Sequence, residues 1–157
     1  KEMDTILFDI RLPRIVVTMI VGALLSVSGT AYQGLFKNPM ASPDILGASS
    51  GAGFGVALGI ILNLNVICTQ VIAFLFGILA VAITCIIVKK AKHNDKSFMI
   101  FILVGIMISA LFKGFISILK YIADQDNVLP DITFWLMGGF SSANKSDILI
   151  LIMPVIL

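Results

Sequence analysis

Residues 33–59 read QGLFKNPMASPDILGASSGAGFGVALG. Lys37, Asn38, Pro39, Pro43 and Asp44 form a polar break between two apolar segments, each expected to be long enough to cross a membrane. Proline lacks a backbone donor and holds the residue before it out of the helical region, so no helix continues through the break. A new helix is expected to start beyond it, with Ser42 or Asp44 accepting bonds from its free N–H groups. From there Gly47, Gly51, Gly55 and Gly59 recur every fourth residue, with Ser50 and Ala52 among them. That spacing stacks the glycines on one helix face, a groove where a neighbouring backbone can come close. The four glycines are therefore expected to form a helix-packing face.

Two enzymatic readings of this stretch fail on their context. Gly51 and Gly53 are not preceded by a strand or followed by Gly-Lys-Ser, so they are not a nucleotide loop. Ser49 and Ser50 have no buried base to activate them, because the only histidine, His93, stands in a lysine run away from the apolar segments. No paired aspartates or HExxH motif lie in an apolar run, and no metal-ligand spacing is present. No catalytic residue, metal or cofactor is expected.

Composition fixes the broad class. The chain is 59% hydrophobic over 157 residues, with a mean hydropathy of +1.07, beyond what a soluble domain of this length carries. Several apolar runs of about 20 residues predict an all-α, multi-pass transmembrane helical bundle. The net charge of +2 gives no reason to expect a nucleic-acid partner. Cys68 and Cys85 fall on one predicted helix, about 25 Å apart at the helical rise, too far to form a disulfide.

In chain order, residues 1–12 mix acids with apolar side chains and suit an interfacial lead-in, not a signal peptide. Arg11-Leu12-Pro13-Arg14 marks a helix start, since proline is tolerated in the first turn. Spans are predicted at 15–36, 45–62, 66–88 and 98–122, with a fifth beginning near 148 and running to 157. Gly22, Ser26, Thr30 and Gly34 give the first span a small-residue ladder of its own. Residues 131–147, DITFWLMGGFSSANKSD, are too short and broken to cross. A short interfacial or re-entrant helix is expected at about 131–140, with Trp135 at the membrane interface and Gly138-Gly139 ending it.

The run KKAKHNDK at 89–96 holds four lysines and one aspartate. Lysine-rich short loops stay cytoplasmic. That assignment places Lys37 inside and Arg11 and Arg14 outside. Lys113 and Lys120 stand apart from these loops, within the span 98–122. Lys120 is near the outer end and can snorkel. Lys113 is deeper, where a charge costs a few kcal/mol on insertion scales. Lys113, Ser117 and Lys120 share one face, which reads either as a polar stripe along a translocation path or as snorkelling with incidental polar packing.

Three motifs, RLPR, GALLSVSGTAYQGLFKNPMASPDILGASSGAG and FWLMGGFSSANKSD, occur in this order and spacing. Together they closely resemble the FecCD-type membrane permeases of bacterial ABC importers for iron–siderophores, haem and cobalamin. The resemblance covers essentially the whole chain and implies the N-terminal half of a longer permease. On that pattern, the family's first helix is missing apart from its outer end, and the cytoplasmic loop that grips the ATPase lies beyond Leu157.

The resemblance implies roles residue by residue. Arg11 and Arg14 match positions that meet glutamates of an extracytoplasmic substrate-binding protein; otherwise they anchor a helix end at the headgroups. Asn38, Pro39 and Met40 match a constriction on the cytoplasmic side, where a proline-broken segment must be buried in protein or line a cavity. A second constriction would fall near Phe98 and Met99. The implied protein is a transport subunit of the bacterial plasma (inner) membrane that imports an iron chelate and performs no chemistry itself. Its implied partners are a second permease subunit, cytoplasmic ATPase subunits that hydrolyse ATP, and the binding protein. The alternative is a self-contained small homo-oligomeric transporter or channel, with Lys113 as its selectivity element.

Overall fold

The structure, a computed structural model, describes residues 6–39, 41–90 and 97–140, with the side chains of Ile6, Asp9, Ser97 and Phe98 left aside. Met40, residues 91–96 of the lysine run and the expected fifth span at 148–157 lie outside the described residues. All regular structure among those described is helical, which bears out the predicted fold class. The α-helices are α1 (Leu12–Phe36), α2 (Ala48–Ile61), α3 (Val66–Lys90), α4 (Ser97–Ile122) and α5 (Val128–Met137). A π-helical turn, Ile6–Arg11, precedes α1, and a 3-10 turn, Pro43–Leu46, precedes α2. The chain divides into two units, one carrying α1 and the other, Asn38–Met137, carrying α2 to α5.

In the first unit, Pro13 occupies the opening turn of α1, where its missing N–H costs nothing. Hydroxyls along α1 satisfy themselves on the helix. Thr18 donates to the Arg14 carbonyl (2.7 Å), Ser26 to Gly22 (2.9 Å) and Thr30 to Ser26 (3.0 Å). This is how a helix carries such residues in apolar surroundings. The helix ends where Lys37 turns left-handed (φ 49°) and its N–H reaches the Gln33 and Gly34 carbonyls.

In the second unit, the expected span at 45–62 divides at Gly47, which takes a left-handed conformation (φ 82°) between the 3-10 turn and α2. The helix beyond it has 14 residues, about 21 Å at the helical rise, against a hydrocarbon core of about 30 Å. Three helices, covering Leu12–Phe36, Val66–Lys90 and Met99–Ile122, are long and apolar enough to cross a membrane. The expected side-chain cap is absent as well. Neither Ser42 nor Gly47 caps through a side chain, and the Asp44 carboxylate instead accepts the Ser49 hydroxyl.

From α2 the chain turns back through Leu62–Asn65. The Leu64 N–H reaches the Gly59 carbonyl and the Asn63 N–H that of Ile60, both at 3.0 Å, with Asn63 left-handed; this is the Schellman closure of a helix end. Asn65 then caps α3, its side-chain oxygen accepting the Cys68 N–H at 2.8 Å. The antiparallel pair that results is close. A Cβ added at Gly51 would stand 2.5 Å from the Phe76 carbonyl oxygen. At Gly55 it would stand 2.7 Å from the Ala73 Cα, and at Gly59 2.7 Å from the Thr69 Cγ2. All three distances are shorter than real side-chain carbons tolerate.

Helix α4 packs over this pair. Ala80, Val104, Ile108 and Phe112 form the buried centre, flanked by Phe54 and Phe76. Phe54 meets Phe76 edge-on at 4.9 Å between centroids and Phe112 at 5.7 Å, separations in the favourable range for aromatic pairs. A second centre, Ala57, Ala123 and Ile132, joins α5 to α2 and the end of α4. Between α4 and α5, Asp124 accepts the Asn127 N–H at 3.2 Å. Helix α5 leaves Phe134 and Trp135 exposed and stops at Met137, before Gly138 and Gly139, both at positive φ.

Candidate functional site

The polar break is held from two sides. Thr84, fully buried in α3, donates its hydroxyl to the Leu46 carbonyl at 3.1 Å and to the Ala80 carbonyl at 3.0 Å. On α4, Gly105 lies so close to the 3-10 turn that an added Cβ would run into the Ile45 carbonyl oxygen. Gly47 rests on the same helix, its Cβ position 3.3 Å from the Ser109 Oγ. The break therefore sits as a fixed corner on α3 and α4, and the direction of α2 follows from it.

This corner opens onto a groove of about 680 Å³ between the start of α2, α4 and α5. Asp44, Ser49 and Ser50 come from the corner and the first turn of α2, and Leu136 from α5. Helix α4 contributes Ser109, Lys113, Ser117 and Lys120. The Ser117 hydroxyl donates to the Lys113 carbonyl at 3.0 Å, which ties its proton to the helix. Lys113 is exposed and Lys120 half-buried. The groove is narrowed by packing at Gly53, whose Cβ position lies 3.2 Å from Leu136 and 3.6 Å from Ile116.

The sequence-derived candidates are distributed unevenly. Lys113, Ser117 and Lys120 come together in the groove, as their spacing implies. Gly51, Gly55 and Gly59 face α3, whereas Gly47 turns toward Ser109 and Ile108 of α4 and has a conformational role at the head of α2. Asn38 accepts the Ala41 N–H at 3.1 Å and is half-buried, with Pro39 exposed beside it; Met40 is not described. Of the second constriction, Met99 is exposed and the Phe98 side chain is outside the description. Arg11 ends the π-helical turn and is exposed, and Arg14, in the first turn of α1, is half-buried. Both belong to the first unit.

Sequence reasoning missed Thr84, Gly105 and Ser109, and it took Ser50 as part of the glycine face and not of a groove. Thr84 and Gly105 are single small or polar residues inside apolar runs, a signal that a close approach is needed there. Ser109 was within reach of helical spacing, four residues before Lys113 on the same face of α4, whereas Ser50 joins them only through tertiary packing.

Comparison with known proteins gives consistent relatives. The model of the FecCD transport family matches residues 1–157. The molybdate import system permease protein MolB of Haemophilus influenzae is 39% identical over 97% of this chain and 44% of its own length. The hemin transport system permease protein HmuU of Yersinia pestis is 35% identical over 93% of this chain and 45% of its own. The vitamin B12 import system permease protein BtuC of Salmonella paratyphi A is 29% identical over 98% and 47% respectively. A solved structure of a metal-chelate type ABC transporter in an inward-facing conformation superposes with a TM-score of 0.81 at 37% identity, covering 93% of this chain and 46% of that one. The chain spans about half the length of the curated relatives it matches.

Proposed function

The chain belongs to the FecCD transport family, and from that premise we propose that it forms half of the permease subunit of an ATP-driven importer for an iron chelate. The observation that carries this reading is the family match along all of residues 1–157, joined to three helices able to cross a membrane. The cargo assignment draws on relatives named for hemin and iron chelatin. Molybdate, for which another relative is named, is the competing cargo.

In this reading the complete permease lies in the bacterial inner membrane and pairs with a second permease subunit around a central path. Arg11 and Arg14 face outward and form charge-assisted bonds with carboxylates of a substrate-binding protein. Asn38, Pro39 and Met40 close the path on the cytoplasmic side. Lys113 and Ser117 line it. Gly51, Gly55 and Gly59 hold α2 against α3 so that the pair moves as one body, with Gly47 setting its angle. Separate cytoplasmic ATPase subunits bind and hydrolyse ATP to alternate access, and the permease itself does no chemistry.

The test is growth and uptake in cells lacking the gene for the complete permease. Loss of radiolabelled iron-chelate uptake, restored by the wild-type gene, is the expected result. Normal iron uptake with lost molybdate uptake would move the cargo assignment to the oxyanion.

A further inference from the structure

The groove at the head of α2 carries a charge pattern that bears on what can rest in it. Among the described residues, three charged groups line it: Asp44, Lys113 and Lys120. The Asp44 carboxylate accepts the Ser49 hydroxyl and keeps its negative charge. Neither lysine is paired with a carboxylate among the described residues. They stand seven positions apart on one face of α4, about 10 Å along its axis. Ser117 lies between them and Ser109 one turn before. Ser50, like Ser109, keeps its hydroxyl uncommitted among the described residues. The start of α2 on the opposite wall adds the partial positive charge of a helix of 14 residues.

A cation entering this groove meets two ammonium groups against one carboxylate, an excess of positive charge. An apolar ligand would strip water from those ammonium groups and give nothing back. A ligand with several anionic oxygens would pair with both lysines and receive hydroxyl donors from Ser50 and Ser109. We infer that the groove between α2, α4 and α5 is an anion-selective station, which takes cargo through anionic oxygens, as an oxyanion or as a carboxylate-bearing metal chelate. Its size admits either. Lysine suits a transient station better than arginine would, because it is a mobile point charge and not a rigid bidentate clamp. The inference rests on the permease reading, which brings cargo past these residues.

The experiment uses the complete permease, purified in detergent and freed of native cysteines, with Ser117→Cys as sensor between the two lysines. Its modification rate is measured with an anionic and a cationic methanethiosulfonate reagent. Their ratio cancels any change in thiolate fraction. The anionic reagent should be favoured by at least about tenfold over the ratio at a free thiol. Lys113→Gln with Lys120→Gln should remove that preference, and Lys113→Arg with Lys120→Arg should keep it. Millimolar sodium molybdate or ferric citrate should slow modification where sodium chloride at the same ionic strength does not. Protection by molybdate alone identifies oxyanion cargo, and protection by ferric citrate alone a carboxylate chelate. An unchanged ratio in the glutamine pair, a thiol closed to both reagents, or protection by neither probe would overturn the inference. None of these outcomes depends on ATP, so the permease reading stands or falls separately, on uptake.

Discussion

Gly105 of α4 and Ile45 of the 3-10 turn approach so closely that the Ile45 carbonyl oxygen occupies the place a side-chain carbon would take. This approach seats the corner before α2 on α4, while the Thr84 hydroxyl holds the next carbonyl, that of Leu46, from α3. The corner is thus held at two successive carbonyls, one against the α4 backbone and one by the Thr84 side chain.

Gly105→Ala is expected to destabilise the complete permease by about 1–3 kcal/mol, the usual cost of overpacking a tight site. Gly114→Ala on the same helix meets nothing within 4 Å and should be neutral or slightly stabilising, because alanine is the better helix former. Thermal unfolding in detergent compares the two, and equal midpoints would contradict the close approach.

Thr84→Val keeps the shape of the side chain and removes the donor to Leu46. Leaving a buried acceptor unsatisfied costs about 1–3 kcal/mol, so the valine variant should unfold at lower temperature. Thr84→Ser should recover most of the loss. A valine variant as stable as the parent would mean that the 3.1 Å contact contributes nothing.

The seam between α2 and α3 predicts its own order of damage. Gly51→Leu places a large side chain where even a Cβ would lie 2.5 Å from a carbonyl oxygen, whereas Leu58→Ala trims a half-buried residue. The glycine variant should be the less stable in detergent, and the reverse order would move the seam elsewhere.

How much of this was legible beforehand differs between elements. Helices α3 and α4 could be read to within a few residues because their runs are long and predominantly apolar and end in lysines or polar turns. The predicted span at 45–62 reads as one helix because no proline and no charge interrupts it. The left-handed turn at Gly47 depends on contacts with Ser109 and Ile108, far away in sequence. The same holds for the groove. Lys113, Ser117 and Lys120 follow from helical spacing, as does Ser109 one turn before them, but Asp44 and Ser50 join them only through packing. The partner of Thr84 is 38 residues distant, beyond the reach of any local pattern.

Topology gives a further expectation. Lys89 and Lys90 close α3 with exposed side chains, and short lysine-rich loops stay cytoplasmic. Lys90→Cys in the complete permease should react with an impermeant maleimide only after the cells are opened. Labelling in intact cells would invert the placement of Arg11 and Arg14.

Docking through those arginines is tested in the complete permease by Arg11→Glu with Arg14→Glu. Capture of the substrate-binding protein should be lost while the unfolding temperature is kept. Unchanged affinity would return both residues to a role as helix-end anchors.

The claim on which the rest depends is that this chain supplies half of a passage driven by a separate ATPase. The direct measurement is cargo accumulation in liposomes holding the complete permease, with ATPase subunit, binding protein and ATP each omitted in turn. Accumulation should require all three. Entry at the same rate without ATP or without the ATPase subunit would contradict the claim and identify a self-contained channel.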